Sequence, residues 1–432
     1  MHSDATMRRR VIWSSTIGNA LEWFDFIVFG LFAGVIGHLF FPETDPAAGL
    51  LAAYGLLAVA YIARPIGGIV FGVWADRIGR KRALITIVLL MAFSTSVIGI
   101  LPTYDRIGVA APLLLLVARL VQGFSAGGEF GTSTAMLIEF APPGRRGLYA
   151  SFQFVAQAIA FAGGAACAFA LNAGLSPAAL QSWGWRLPFL AGIVIGPVGF
   201  YLRRKVDETP EFKAFMAERA GLPNTPLRDV LARHPRELIS LILVVSGLTC
   251  YTYLGTIFYP NFLNTALGLK VANAQLGVLV LNLIAAVVLP LTAALSDRIG
   301  RRITMIPALF VYAAVSLLLT RQLLAAPSNG AMWSLQAASI IMFFMIGPGG
   351  ALLLETFPVN VRSTGASIVY NVAVAVFGGL APLVVGWLYQ TTHDKLVPFY
   401  CITGGLVLTL IGLILVPPAH TPSAGADEPS IV

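Results

Sequence analysis

Residues 72–82 read Gly72-Val73-Trp74-Ala75-Asp76-Arg77-Ile78-Gly79-Arg80-Lys81-Arg82, and residues 294–302 read Ala294-Leu295-Ser296-Asp297-Arg298-Ile299-Gly300-Arg301-Arg302. The core Asp-Arg-Ile-Gly-Arg returns between Asp76 and Asp297, a step of 221 residues. An unlike motif returns at nearly the same step: Glu139, Pro142 and Arg146 are matched by Glu355, Pro358 and Arg362, 216 residues on. Two different motifs sharing one offset predict an internally duplicated chain whose halves run in parallel orientation.

Each copy of the loop motif follows a long apolar stretch. A membrane helix needs about 20 mostly apolar residues to cross about 30 Å of hydrocarbon. Such stretches lie near 14–40, 48–74, 83–101, 111–138, 148–172 and 187–202, and again near 238–263, 275–295, 303–324, 332–354, 364–389 and 397–417. The chain therefore reads as an all-α membrane protein of twelve transmembrane helices in two pseudo-symmetric six-helix bundles. One bundle covers 1–202 and the other 238–417, joined by a polar linker over 203–237 and followed by a disordered tail over 418–432. The first stretch carries Glu22 and Asp25 and no small-residue cleavage site, so it reads as a retained span.

Composition agrees. Of 432 residues 57% are apolar and 11% charged, against about 25% charged in soluble domains, and mean hydropathy is +0.81. That excludes an ordinary soluble enzyme and a disordered chain. Cys167, Cys250 and Cys401 lie in apolar stretches without metal-ligand or pairing pattern, so they read as small apolar fillers.

The net charge of +8 follows from topology and needs no nucleic acid. With the N-terminus placed in the cytoplasm, 21 of the 28 Lys and Arg fall in cytoplasmic segments, five in external ones, and Arg64 and Arg119 inside spans. By the positive-inside rule both termini are cytoplasmic. The linker holds 14 of the 48 charged residues, with a helix start expected at Thr209-Pro210-Glu211.

The loop motif has a physical role beyond topogenesis. Asp76 is placed to cap free backbone N–H groups at the end of a neighbouring helix, which brings Arg77 and Arg80 within reach of Glu139 or lipid phosphates. The duplicated set of Asp76, Arg77, Arg80, Glu139, Arg146, Asp297, Arg298, Arg301, Glu355 and Arg362 is the candidate gating set, clear of substrate.

Charges deep in a span cost about 2.5–3.5 kcal/mol each on insertion scales. Five are present, all in the first half: Glu22, Asp25, Arg64, Arg119 and Glu129. Glu22 and Asp25 share a helix face. Three acids against two arginines make a pocket that repels an anion until a proton is taken up; each binding event then favours the other, with Arg119 or Arg64 freed for a bidentate carboxylate contact. The five histidines lie at ends or in loops, so the proton carrier is a carboxylate. Glu129, about 15 Å beyond Arg119 along a helix, reads as structural. The second half offers neutral groups instead: Tyr251, Tyr253, Tyr259, Asn261, Asn282, Tyr370 and Asn371, while Gln153 and Gln157 lie four apart in span five. Gly347-Pro348-Gly349-Gly350 in span ten reads as a helix interruption.

The Asp-Arg-x-Gly-Arg-Lys loop with its 6+6 spans resembles the major facilitator superfamily. More narrowly, four stretches resemble its metabolite:proton symporter family: Gly18-Asn19 through Leu21-Glu22-Trp23-Phe24-Asp25-Phe26, Arg64-Pro65-Ile66-Gly67-Gly68, Arg119 with Gln122-Gly123-Phe124-Ser125 and Gly127-Gly128-Glu129, and Trp183-Gly184-Trp185-Arg186-Leu187-Pro188-Phe189. The resemblance implies a site near the bilayer midplane between two rocking halves, with spans one and four side by side so that Asp25 meets Arg119. It implies Glu22 and Asp25 as proton-coupling residues, beside Arg119, Arg64, Gln122, Gln157, Tyr251 and Asn371 as the candidate substrate-binding residues.

Substrates of that family include citrate and other tricarboxylates, 2-oxoglutarate, shikimate, aromatic acids, proline and betaine. The tail lacks the coiled-coil heptads of the proline/betaine members. Gln122 to Gly127, Val376-Phe377-Gly378-Gly379-Leu380-Ala381-Pro382 and Asp394-Lys395 with Pro398 are similar to the citrate–proton symporters, while Trp23 and Gly128 depart from them. The expected function is proton-coupled uptake of an organic anion, citrate or another di/tricarboxylate, by a monomer in a bacterial-type inner membrane, with the proton as coupling ion and no other cofactor. An enzyme would need clustered metal ligands or a nucleophile with its base, and neither pattern is present. An uncoupled uniporter has no need of Glu22 or Asp25, and a drug exporter of this fold would have an arginine-poor cavity.

Overall fold

A computed structural model of the chain describes residues 16, 19–20, 22–41, 46–127, 129–130, 134, 137, 141–142, 144–193, 196–197, 200–201, 226–357 and 362–417, except Gly79, with the backbone alone over 46–47, 72–84, 226, 229 and 362–363. The linker over 203–225, with its expected helix at Thr209, the tail over 418–432 and Glu139 lie outside the described residues, as do the side chains of Asp76, Arg77, Arg80 and Arg362.

The architecture is helical throughout the described residues. Span one is a bent pair, α1 (Glu22–Leu31) and α2 (Ala33–Phe40), turning by 67° between them. Spans two to five are α3 (Pro46–Ile78), α4 (Arg80–Ile100), α5 (Ala110–Ala126) and α6 (Arg146–Gly174), and span six begins at Leu187. After α7 (Pro226–Arg233) come the long apolar helices α8 (Pro235–Leu267), α9 (Val271–Ile299), α10 (Arg301–Ala325), α11 (Asn329–Glu355), α12 (Thr364–Thr392) and α13 (Val397–Leu415). Eight of the described helices are individually long and apolar enough to cross a membrane. The bent pair counted as one span makes nine, Ile85–Ile100 and Ala110–Ala126 are shorter apolar helices, and a helix begins at Leu187 where the sixth expected span starts.

Lipid gives helices no hydrophobic reason to associate, so close backbone approach does that work. In the first half α3 crosses α5 on glycine. A methyl group at Gly67 would overlap the carbonyl of Phe124, one at Gly123 that of Ala60, and one at Gly127 that of Arg64. In the second half α8 meets α13 in the same way through Gly247 and Gly405. Arg186, in the turn before span six, donates to the carbonyls of Gly99 (3.0 Å) and Leu101 (2.6 Å) and so closes the C-terminal end of α4.

The Gly347–Gly350 run corrects the sequence expectation, because α11 continues as a helix through Pro348. The tightened turn lies upstream, at Ser339–Met342. The glycines are packing points: a methyl at Gly347 would strike Thr292, and one at Gly350 would strike Phe154. Irregularity appears elsewhere. α8 widens to i→i+5 bonding over Leu254–Phe258, and α12 does so over Val374–Gly379; such turns concentrate at functional positions.

The loop motif in the second half is a clasp between the halves. Gly300 stands between α9 and α10 with φ +100°, a conformation that favours glycine. Asp297 accepts from the backbone N–H groups of Gly147 (2.9 Å) and Leu148 (3.1 Å), at the N-terminus of α6. Arg301 then bridges Asp297 (2.6 Å) and Glu355 (2.9 Å). This is the cap expected for Asp76, seen at its repeat partner and made across the two halves. Arg146 opens α6 beside it, whereas Arg298 is exposed. Two further contacts join the halves at the opposite face: Gly30 packs on Ile257, and Asn261 Nδ2 donates to the Tyr54 hydroxyl at 3.3 Å.

Two outcomes follow. Gly67→Ala and Gly123→Ala should each destabilise the protein by about 1–3 kcal/mol through overpacking, read as a lower unfolding midpoint in detergent. Gly55→Ala, with open space around it, should leave the midpoint in place; equal effects at all three positions would refute the crossing argument. Asp297→Ala removes two charge-assisted bonds of about 1.5–3 kcal/mol each. It should therefore speed labelling of an Ala150→Cys thiol, buried beside the clasp, by about tenfold or more, and an unchanged labelling rate would show that the clasp does not hold this face shut.

Candidate functional site

The five deep charges are all buried in the first half, and four of them, Glu22, Asp25, Arg64 and Arg119, gather in one cluster. Arg64, on α3, and Arg119, on α5, are both 0% exposed; Glu22, Asp25 and Glu129 are nearly so. The glycine crossing of α3 and α5 makes this possible, since it brings two arginine-bearing backbones together where bulkier helices would stand apart. Glu22 Oε1 accepts from Arg64 Nη2 at 2.6 Å, a buried ion pair. Asp25 and Arg119 do come together, but their link runs through two neutral side chains. Thr95 Oγ1 donates to Asp25 Oδ2 at 2.5 Å, Gln122 Nε2 donates to Thr95 at 2.8 Å, and Arg119 Nη1 donates to Gln122 Oε1. Gln122, expected on the substrate, is thus a link in this relay.

Aromatic faces enclose both guanidinium groups. Arg64 Cζ lies 5.1 Å from the Trp23 ring and 5.3 Å from Phe26; Arg119 Cζ lies 5.1 Å from Phe26 and 4.1 Å from Phe29. Phe26 therefore stands between the two cations. Cation–π contacts of this kind gain strength in desolvated surroundings, to about 2 kcal/mol or more. Even so, Arg64 Nε and Nη1 and Arg119 Nε and Nη2 are buried without a hydrogen-bond partner. Buried donors are almost always satisfied, and these four nitrogens on two arginines keep donor capacity that no described residue uses.

The second half supplies the cover. Tyr253 lies 6.3 Å from Trp23 and 5.2 Å from Tyr61 between ring centroids, and Tyr370 lies 6.4 Å from Trp23 and stacks on Phe130. Behind this aromatic layer, α6, α8, α9, α10, α11 and α13 line a chamber of about 90 Å³. Gln157 and Tyr251, both expected at the substrate, line it; Arg64, Arg119 and Gln122 do not; Phe161 of its wall meets Trp23 edge to face at 6.0 Å, and Trp23 in turn lies 5.1 Å from Arg64 Cζ. Asn371 stands apart from it: its Nδ2 donates to the Gly127 carbonyl at 3.4 Å, tying α12 to the α3–α5 crossing.

Thr95, Phe26 and Phe29 escaped the sequence reading. The polar run Ser94-Thr95-Ser96 in an otherwise apolar span was the available signal for the first. Nothing local distinguishes Phe26 and Phe29 from lipid-facing phenylalanines, because their role exists only once α3 and α5 place an arginine over each ring.

Known proteins agree with this architecture. The sequence profile described as Major Facilitator Superfamily matches residues 17–382. The chain is 39% identical over 397 residues to a citrate-proton symporter of Klebsiella pneumoniae, covering 92% of this chain and 89% of that one. It is 36% identical over 420 residues to an alpha-ketoglutarate permease of Escherichia coli (strain K12), covering 94% of each. Its fold superposes on the xylose transporter XylE from E. coli in a partially occluded inward-open conformation with a TM-score of 0.77, at 18% identity, over 95% of this chain and 98% of the other. With twelve spans in two halves, a cross-half clasp on the repeated loop motif and these relatives along nearly its whole length, the chain is a multi-pass membrane protein belonging to the major facilitator superfamily of transporters.

Proposed function

We propose that this protein couples proton entry to uptake of citrate or a related di- or tricarboxylate by alternating access. The observation that carries the proposal is the set of unpartnered N–H groups on Arg64 and Arg119, each arginine tied to a carboxylate that a proton would neutralise. Protonating Glu22 ends its ion pair and leaves Arg64 a buried, uncompensated cation, a costly state that a substrate carboxylate relieves. Protonating Asp25 turns an acceptor for Thr95 into a group able to donate, and the relay through Gln122 carries that change to Arg119. Proton and anion then support each other's binding by linkage.

The energetics favour coupling. An anion entering against 100 mV, inside negative, costs about 2.3 kcal/mol per charge, so a polycarboxylate accumulates only with protons that offset its charge. The excess of Lys and Arg on one set of loops supports cytoplasmic termini, and the bacterial relatives support an inner-membrane location. The names of the two relatives, one for citrate and one for alpha-ketoglutarate, support a carboxylate.

Reconstitution into liposomes with an acid exterior tests this. Labelled citrate should accumulate; Asp25→Asn and Arg119→Ala should each lower uptake by about tenfold or more, given ~1.5–3 kcal/mol for a lost charge-assisted bond. Cys167→Ala should transport normally. Gradient-driven accumulation by both Asp25→Asn and Glu22→Gln at the wild-type level would refute the coupling assignment, and uptake indifferent to the gradient would indicate a uniporter. Thr95→Val, which removes the relay but keeps both charges, should raise the KM for citrate without abolishing accumulation.

A further inference from the structure

At the end of the bundle that carries the clasp, α13 stops at Leu415 with Val416 as its cap. The last carbonyls of a helix have no partner within it. Two of them are taken by arginines from neighbouring helices. Arg236, in the first turn of α8, donates from Nε to Leu415 O at 3.2 Å, and Arg302, in the first turn of α10, donates from Nη2 to Val416 O. Adjacent carbonyls thus hold two guanidinium groups side by side, and both arginines stay exposed. Neither forms an ion pair among the described residues. The acids beside them in sequence and space are engaged elsewhere: Glu237 pairs with His234 at 3.1 Å, and Asp297 and Glu355 both pair with Arg301. A helix C-terminus carries only about half an elementary negative charge. Set against two full cations, it leaves a net positive centre.

The surface next to this pair is aliphatic and open. Ile239, one turn along α8 from Arg236, is 58% exposed; Ile303, directly after Arg302, is 66% exposed; Ile414, just before the two carbonyls, is 65% exposed. Ile411 and Val407 extend the band along the same face of α13. The three helices are held together here by the Gly247–Gly405 contact of α8 with α13 and by the two arginine bonds. In a membrane protein such a band faces acyl chains, so the arginines at its end stand at headgroup depth. Basic pockets between spans at that depth suit anionic headgroups. Guanidinium is also the side chain whose fork of donors matches phosphate oxygens. Arg236 keeps both Nη nitrogens for that purpose, and Arg302 keeps Nε and Nη1.

We infer that Arg236 and Arg302 form a binding site for one anionic phospholipid, with its phosphodiester on the two guanidinium groups and its acyl chains along Ile239, Ile303 and Ile414. Charge decides the class, because a zwitterionic headgroup carries its own cation back to the pair and an anionic one does not. A lipid held there ties the ends of α8, α10 and α13 together. It sits one residue from the clasp, since Arg301 directly precedes Arg302. The inference needs only that the chain spans a bilayer, and it stands apart from the choice of substrate.

Native mass spectrometry of the purified full chain tests it, with equal amounts of phosphatidylglycerol and phosphatidylcholine bearing the same acyl chains. The wild type should retain phosphatidylglycerol about tenfold or more over phosphatidylcholine, at about fivefold per arginine. Arg236→Gln and Arg302→Gln, which can still donate to the carbonyls, should each cut that preference by about fivefold, and together bring it to within about threefold of one. Lysine at both positions keeps the charge and should keep most of the preference. Arg321→Gln, exposed at the opposite end of α10, should match the wild type. Folding is read separately as the unfolding midpoint without lipid, and the single variants decide if the double variant shows no transition. A wild type without preference, or an equal loss in Arg321→Gln, overturns the inference. An equal loss in the lysine and glutamine pairs also overturns it, by reducing the arginines to helix caps. Displacement of the lipid by an equal concentration of glycerol phosphate would mark a site for free phosphate esters instead. A rise of about tenfold or more in retained lipid on Asp427→Asn with Glu428→Gln would make the acidic tail the occupant and overturn it likewise.

Discussion

Two guanidinium groups held at zero exposure inside a membrane bundle set the terms for the rest of this structure. Neither charge can be neutralised by losing its proton, since arginine keeps it in proteins. The protein must therefore answer each one in place. It does so with a carboxylate at 2.6 Å for Arg64, a neutral relay for Arg119, and aromatic faces around both. The glycine crossing of α3 and α5 is the enabling condition. With any side chain at Gly67, Gly123 or Gly127 the helices would separate and the two cations would lose their shared ring, Phe26.

The halves share a fold and divide the chemistry. The first holds the deep charges; the second holds neutral oxygen and the tyrosines that cover them. Tyr253 follows directly in sequence on Thr252 of the chamber wall and immediately precedes the widened turn at Leu254–Phe258, so the cover over Arg64 is mounted on backbone that already departs from ideal helix. Tyr370 lies one turn before the matching widened turn in α12. Irregular backbone inside a membrane is tolerated where protein or a cavity satisfies it, and here it sits where the second half touches the ion pair of the first.

The clasp at Asp297 shows the same economy. One carboxylate caps the N-terminus of α6 and anchors Arg301, which reaches Glu355. The repeated motif supplies both partners within one short loop, and Gly300 supplies the φ of +100° that lets α10 start at once after α9. Gly147 leaves the space for it: a methyl there would collide with both Asp297 and Arg301.

Span number, duplication and the identity of the deep charges were legible in the sequence, because hydrophobic length, a repeat offset and the cost of burying charge are properties of composition and spacing. The capping role of the Asp in the loop motif was legible for the same reason. The relay through Thr95, the placing of Phe26 between two arginines and the pairing of Glu22 with Arg64 were decided only by packing, since each needs residues from different helices at ångström distances that glycine contacts alone set. The same holds for the glycine-rich run in α11: Gly and Pro signal a break locally, yet Thr292 and Phe154 from neighbouring helices press against those glycines and use the missing side chains as space. Sequence by itself determined which groups had to be compensated inside the membrane; tertiary structure decided which partner compensates which, because hydrogen bonds and ring contacts depend on distance and not on order along the chain.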